Sequence, residues 1–156
     1  MNILKTDTKA LIIGIGNNGR GDDALGWNFI DQVAGITPYD VEYRYQLQIE
    51  DVALIHDYDT VIFVDASRRK LKNGFSFDRC KPINLFSFSS HRIEPGYILW
   101  LCQELYGNMP EAYVMAIQGV NWELRLGLSV EAHQNFDRAL LFFKRWLKRK
   151  SVVVAF

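Results

Sequence analysis

The sequence predicts an α/β domain, built as a three-layer α/β/α sandwich around a mainly parallel, twisted sheet. Strand-like apolar runs alternate along the chain with amphipathic helical patterns, which is typical of a parallel sheet with crossover helices. The runs at 9–16 and 60–65 are largely apolar, as expected for strands covered on both faces. The chain has 156 residues, 49% of them hydrophobic, and we assign residues 1–156 to a single packed domain.

A strand, a glycine-rich turn and a helix open the pattern. Residues 9–16 are rich in isoleucine and end in glycine, which predicts a buried first strand. A helix is predicted over 23–34, with Asp22 as its N-cap and Gly35 as its C-cap. Four apolar side chains at helical spacing form its inward face: Leu25, Phe29, Ile30 and Val33.

The middle of the chain predicts further strands and a short helix. Residues 40–48 alternate between apolar and polar side chains, which is the period of a strand, and residues 50–56 follow as a short helix. The apolar run at 60–65 is a second buried strand of the parallel type. Asn73-Gly74 indicates a turn or a hairpin, and residues 82–88 predict a weak strand.

Two helices and one strand complete the predicted domain. Pro95 suits the first turn of a helix that runs to Tyr106, and Gly107 ends it. Residues 112–118 predict an apolar strand, Ser129 is the predicted cap of the last helix, and residues 152–154 predict a short edge strand. The inward faces of the two helices are Ile98, Leu101, Cys102 and Leu105, and Phe136, Leu140, Phe143 and Leu147.

Charge and cysteine content disfavour several classes of function. The 18 Lys plus Arg residues equal the 18 Asp plus Glu residues, so we expect no general binding of nucleic acid. Cys80 and Cys102 form no CxxC pair, which argues against structural zinc, and Cys102 is predicted to be a buried thiol. No apolar run reaches the roughly 18 residues of a membrane span, and charged residues interrupt the start of the chain. We therefore expect a cytoplasmic protein that does not use a membrane.

The turn after the first strand contains the pattern GxGxxG, from Gly14 to Gly19, so a dinucleotide site is one alternative. In such a site the helix begins within the glycines and its N-terminus faces a pyrophosphate. Here the glycines continue to Gly21, and the helix opens with Asp22 and Asp23, whose carboxylates would repel phosphate. The sequence therefore disfavours a nucleotide-binding protein, which we keep as a lesser alternative.

Three side chains that can ligate a metal fall at the ends of predicted elements. Asp23 begins the first helix, Asp65 ends the strand at 60–65, and His91 precedes the helix that starts at Pro95. Because ligand sites of open α/β folds lie at the carboxyl edge of the sheet, these three side chains are expected to form a small metal site. Each of them also has an ordinary structural interpretation as a helix-cap or strand-end residue. Two carboxylates and an imidazole suit Ni, Zn, Fe or Mn, and the ligand types do not choose among these metals.

Four motifs together form a more specific pattern. The first has two parts, GxGN at Gly14–Asn17 and GDDxxG at Gly21–Gly26. The other three are Val64-Asp65-Ala66, Ser89-Ser90-His91 and LGLSVE at 126–131. Over roughly residues 9–145 the chain resembles the hydrogenase maturation endopeptidases, the nickel-dependent processing proteases of nickel–iron hydrogenases.

The resemblance implies a phosphorylase/hydrolase-like fold and a defined activity. Members remove a C-terminal extension from the hydrogenase large-subunit precursor after nickel insertion, so the partner would be a nickel-loaded precursor. Carried over to this chain, Asp23, Asp65 and His91 would be both the nickel ligands and the catalytic residues of a metal-assisted hydrolysis. The nickel would arrive with the substrate, although another divalent ion such as zinc or cadmium could occupy the site in vitro.

One segment departs from the family pattern. Many members have Asp-Gly-Gly-Thr after the second strand, where this chain has YQLQIED at 45–51. Gln46 and Glu50, together with Asn17 of the first motif, are candidate substrate-binding residues. Alternatively, Gln46 and Glu50 have only structural roles, at the end of a strand and as a helix cap. The alternative function is a non-proteolytic, metal-sensing or chaperone-like binding module on the same fold.

Overall fold

The computed structural model describes residues 8–85 and 92–154, with side chains through residue 150. The main elements follow one another as β1 (Ala10–Ile15), α1 (Leu25–Val33), β2 (Asp40–Arg44), α2 (Asp51–His56), β3 (Thr60–Ser67), β4 (Phe75–Arg79), α3 (Pro95–Tyr106), β5 (Glu111–Gln118) and α4 (Val130–Val154). Short 3-10 helices lie at Gly21–Ala24 and Lys72–Gly74.

Within the described residues the strands form one sheet in the order β2-β1-β3-β5-β4. The pairs β1–β2, β1–β3 and β3–β5 are parallel, and β4 lies antiparallel to β5. Helices α1 and α4 pack on one face of the sheet, and α2 and α3 pack on the other. The predicted three-layer α/β/α sandwich with a mainly parallel sheet is therefore confirmed.

Burial on both faces explains why the first strand is apolar along its length. Ile12 of β1 packs with the α1 and α4 side chains, whereas Leu11 and Ile13 pack with those of α2 and α3. All three are fully buried, as expected for a strand of a doubly covered parallel sheet. The predicted inward face of α1 is also buried, at Leu25, Phe29, Ile30 and Val33.

The strand order places a crevice at the carboxyl ends of β1 and β3. From β1 the chain crosses to β2 on one side, and the next strand, β3, lies on the other side of β1. The β1–β3 ladder ends at the pair Gly14–Val64, while β3 continues along β5 as far as Ser67. Such a reversal of strand order opens the space in which α/β sheets bind ligands.

Two glycines allow α1 to approach this crevice closely. A Cβ on Gly26 would lie 2.4 Å from the carbonyl oxygen of Ile15 and 2.6 Å from that of Val64. A Cβ on Gly14 would lie 2.5 Å from the carbonyl oxygen of Gly26. The start of α1 therefore sits against the ends of β1 and β3 with backbone touching backbone, a contact that only glycine permits.

Several local predictions are confirmed. The helix α3 begins at Pro95 and ends at Gly107, which has a left-handed backbone with φ of 77°. Ser129 caps α4, because its Oγ accepts a hydrogen bond from the amide of Ala132 at 3.1 Å. Cys102 is a buried thiol, as predicted.

The predicted caps of the first helix are wrong. Asp22 does not cap α1: it lies inside the 3-10 helix Gly21–Ala24, and Ala24 occupies the N-cap position without a side-chain hydrogen bond. The helix ends at Val33 with Ala34 in the C-cap position, and Gly35 does not have a positive φ. The carboxylate of Asp22 instead accepts a hydrogen bond from the amide of Val120, in a loop far along the chain. No local spacing rule predicts this contact.

The edge of the sheet also differs from the prediction. The fourth strand lies at Phe75–Arg79, whereas residues 81–85 form no strand and the rest of the predicted strand, 86–88, lies outside the described residues. Asn73-Gly74 forms a turn, with φ of 61° at Asn73, but no hairpin, because β4 pairs with β5 rather than β3. Phe75 and Phe77 alternate with polar residues, and this period of two was the signal for β4.

The predicted edge strand at 152–154 is wrong as well, because α4 continues through Val154. No Gly or Pro interrupts the chain from Val130 onward, so nothing in the sequence stops the helix. Leu105 of α3 is exposed rather than buried, since the inward stripe ends at Cys102. Among the described residues, no helix combines the length and the hydropathy required to cross a bilayer.

Replacing Gly26 by alanine should destabilise the fold by about 2–3 kcal/mol, because the new methyl group meets two backbone oxygens that cannot move aside. The free energy of unfolding in urea measures this loss. Gly35→Ala is the matched control, since no atom lies within 4 Å of its Cβ position, and it should change stability by about 0.5 kcal/mol or less. Equal effects of the two substitutions would contradict the close contact.

Candidate active site

A closed loop places Asp23 at the end of β1. The amide of Asn17 donates a hydrogen bond to the carbonyl oxygen of Asp23 at 3.1 Å, and the amide of Gly19 donates to Oδ1 of Asn17 at 2.9 Å. A Cβ at Gly16, whose φ is 151°, would lie 2.0 Å from the Asp23 carbonyl oxygen. The glycine motif thus folds the loop back on itself and fixes the backbone of Asp23 over the crevice.

Asp65 lies where β3 runs past the last residue that it pairs with β1. Its neighbour Val64 is the last partner of Gly14, and beyond that point β3 is paired with β5 on one side only. The side chain of Asp65 is 29% exposed, and its Oδ2 lies 3.5 Å from Nη2 of Arg92. The carboxylate therefore sits in the crevice, half-buried, with one cationic neighbour.

Burial and neighbouring charges act on the pKa values of both acids. Burial raises the pKa of Asp65 to about 7; Arg92 opposes that rise, and the negative charges of Asp23 and Glu94 add to it. Burial also raises the pKa of Asp23, although Arg92, Arg20 and Arg68 oppose the rise. A half-buried carboxyl group whose ionisation is hindered by a neighbouring carboxylate is suited to hold a proton or to face a cation.

Both acids border an open cleft of about 530 Å³. Its lining is polar and rich in arginine: Arg20, Asp23, Tyr45, Gln46, Asp65, Ala66, Ser67, Arg68, Arg69, Arg92, Glu94 and Trp122.

The structure brings some of the predicted site residues together. Asp23, Asp65 and Gln46 line the same cleft, whereas Asn17 and Glu50 are not part of its lining. His91 lies outside the described residues, although its neighbour Arg92 contacts Asp65. In the described ranges, 8–85 and 92–154, no three His, Cys, Asp or Glu side chains are grouped to hold a metal ion.

Several cleft residues escaped the sequence analysis. Arg68 and Arg69 follow β3 directly, and their position just after a strand end was a signal that could have been used. Trp122 carries no local signal, because it reaches the cleft on the loop between β5 and α4. Arg92 directly follows the predicted ligand His91, and this position was the signal for it.

Asp22 holds that loop in place. Its Oδ2 accepts hydrogen bonds from the amides of Val120 and Asn121 at 2.7 and 2.8 Å, and from Oγ of Ser129 at 2.8 Å. Its Oδ1 accepts from the amide of Ser129 at 2.7 Å. Burial alone would raise the pKa of Asp22, but these hydrogen bonds outweigh it and hold that pKa below its usual range.

Solved structures of known proteins share this fold. The hydrogenase maturating endopeptidase HybD from E. coli matches with a TM-score of 0.75 and 18% identity, over 91% of this chain and 93% of that one. The nickel–iron hydrogenase maturation protease HycI from Thermococcus kodakarensis matches with a TM-score of 0.65 and 23% identity, over 93% and 96%. No protein-family model matches the sequence, and no curated protein matches it significantly.

The chain has the fold of the hydrogenase maturation endopeptidases. A hydrogenase 2 maturation peptidase from a Thaumarchaeota archaeon matches over 89% of this chain and 97% of its own, with a TM-score of 0.64 and 18% identity. The likeness therefore extends over almost the whole length of a maturation endopeptidase, and the resemblance stated from the sequence is confirmed at the level of the fold.

Asp22→Asn should destabilise the protein by about 3 kcal/mol, because the amide nitrogen would face buried N–H donors in place of an acceptor oxygen. Urea unfolding measures the loss. Asp78→Asn, at an exposed position of β4, is the control and should stay within about 0.5 kcal/mol of wild type. A change of that small size in Asp22→Asn would contradict its role in holding the loop.

The raised pKa of Asp65 predicts a pH-dependent stability in the metal-free protein. The pKa of Asp65 is about 7 in the folded protein and 3.8 for an ordinary Asp side chain, so the folded state binds this proton more tightly than the unfolded state does. The stabilisation that the proton provides is therefore lost as the pH rises through about 7. Asp65→Asn should remove this dependence. Its stability relative to wild type should therefore increase between about pH 4 and about pH 8.

Urea unfolding of both proteins across that range measures the difference in their free energies of unfolding. Asp78→Asn, which removes an exposed carboxyl group of β4, is the control, and its difference from wild type should stay constant over this range. A difference that stays constant with pH would show that Asp65 has an ordinary pKa.

Proposed function

We propose that this protein is an endopeptidase that removes the C-terminal extension of a nickel-loaded precursor of a nickel–iron hydrogenase large subunit. The observation that supports this most is that two carboxylates, Asp23 and Asp65, lie in one cleft beyond the ends of adjacent parallel strands, where the charge of Asp23 raises the pKa of Asp65. They lie in a cleft of a fold shared with proteins that carry out hydrogenase maturation.

The donor set fits a divalent cation that arrives with the precursor. A divalent cation near Asp65 would favour the charged form of that carboxylate and offset the burial and the charge of Asp23 that oppose its ionisation. His91, one residue before the Arg92 that contacts Asp65, is the proposed third ligand. When bound, such an ion polarises the scissile carbonyl or activates a water molecule.

The residues of the chain have separate tasks in this proposal. Arg92 orients the carboxylate of Asp65 through its contact at 3.5 Å. Either Asp23 or Asp65 would also act as the general base, since both carboxylates line the cleft. Gln46 and Tyr45, on the wall formed after β2, are placed to contact the backbone of a bound peptide.

Asp23→Asn and His91→Ala should each reduce processing by at least about a hundredfold while leaving the fold intact, because each removes a proposed ligand of the bound ion. The assay mixes the purified protein with the nickel-loaded precursor from the same genome and follows the loss of the extension by mass spectrometry. Circular dichroism confirms folding of each variant.

Matched controls are Asp78→Asn and His133→Ala, which change the same residue types at exposed positions away from the cleft. Both should process the precursor at the wild-type rate. Binding of the precursor by the wild-type protein without any cleavage would reject the endopeptidase and favour the binding module. Normal processing by both site variants would reject the assigned residues.

A further inference from the structure

Three exposed arginines line the cleft. We call Arg20, Arg68 and Arg69 the arginine wall. Across residues 8–85 and 92–154, none of them forms an ion pair, whereas Arg92 is paired with Asp65. The protein as a whole has no net charge, so this group is a local excess of positive charge on the lining of the cleft.

The guanidinium of Arg68 is held in position before any ligand arrives. Its Cζ lies 4.3 Å from the ring centroid of Trp122, a cation–π contact. Trp122 belongs to the loop that the buried Asp22 fixes through the amides of Val120 and Asn121. Less conformational entropy is therefore lost when Arg68 binds a partner, because its stem and plane are already ordered.

The wall and the acid pair occupy different depths. Asp23 and Asp65 are half-buried, whereas the three guanidinium groups are exposed. The three arginines line the same cleft as Asp23 and Asp65, and within the described residues none of them forms an ion pair with either acid. A bound peptide whose scissile bond is at the acids would thus pass its adjoining residues along the wall.

We propose that the arginine wall binds carboxylates of the peptide extension. The inference rests on the proposed function, which supplies a peptide in this cleft. Guanidinium groups suit this ligand because they bind carboxylates through two parallel hydrogen bonds. The carboxylates come either from Asp and Glu side chains or from the chain terminus, and both present the same group to the wall.

Binding of short fluorescein-labelled peptides, measured by anisotropy, tests the proposal without requiring cleavage. One peptide carries Asp and Glu and an amidated terminus, a second carries Asn and Gln and a free carboxylate, and a third carries Asn and Gln and an amidated terminus. The first or second should bind at least about tenfold more tightly than the third, and the binding should weaken between about 0.05 M and about 0.5 M salt. Whichever binds identifies the source of the carboxylate.

The double variant Arg68→Gln/Arg69→Gln should lose at least about tenfold in affinity for the preferred peptide. Arg145→Gln/Arg149→Gln removes the same two charges from exposed positions of α4 outside the cleft and should bind as wild type does. Equal binding of all three peptides, or unchanged binding by the double variant, would overturn the proposal.

Processing of the full precursor separates this inference from the proposed function. In wild type, removing the preferred carboxylates from the extension, either by replacing Asp and Glu with Asn and Gln or by amidating the terminus, should raise KM about tenfold with little change in kcat. Absence of any cleavage by wild type would reject the protease while leaving the peptide-binding result to stand alone. Cleavage with an unchanged KM would reject the binding of carboxylates by the arginine wall and leave the protease in place.

Discussion

The approach of α1 to the sheet sets the geometry of the whole site. Gly26 lies so close to the ends of β1 and β3 that a single methyl group there would fall 2.4 Å from one carbonyl oxygen and 2.6 Å from another. Because the helix starts at this depth, the residues just before it, including Asp23, are brought to the edge at which β3 ends. A bulkier residue at position 26 would push the start of the helix, and with it Asp23, away from the ends of the two strands.

Asp22 and Asp65 show how differently two aspartates of this chain are used. Asp22 is fully buried, and its carboxylate accepts four hydrogen bonds that stabilise its charge. Asp65, in the cleft, is only partly compensated, by Arg92 and by the amide of Ala66 at 2.8 Å. Its raised pKa reflects a destabilising environment, which is the usual signature of a group positioned for a ligand rather than for stability.

The loop from 119 to 129 connects these two uses. Asp22 anchors the loop from beneath, and the loop carries Trp122 to the cleft, where the indole ring supports Arg68. A buried structural carboxylate therefore determines, through a chain of direct contacts, the position of an exposed cation that lines the cleft.

By itself, the sequence determined the layers and most of the elements. The period of the apolar residues and the glycines at the ends of elements are local properties of the chain, and they keep the same meaning in the folded protein. It also determined that Asp23 and Asp65 lie at one edge, since carboxyl ends of neighbouring parallel strands must meet there. The sequence could not show that Asp22 serves a loop about 100 residues further along the chain, because that contact depends on tertiary packing and has no local spacing. For the same reason, only the tertiary structure decided which arginines line the cleft, that Trp122 supports one of them, and that α4 continues where an edge strand was expected.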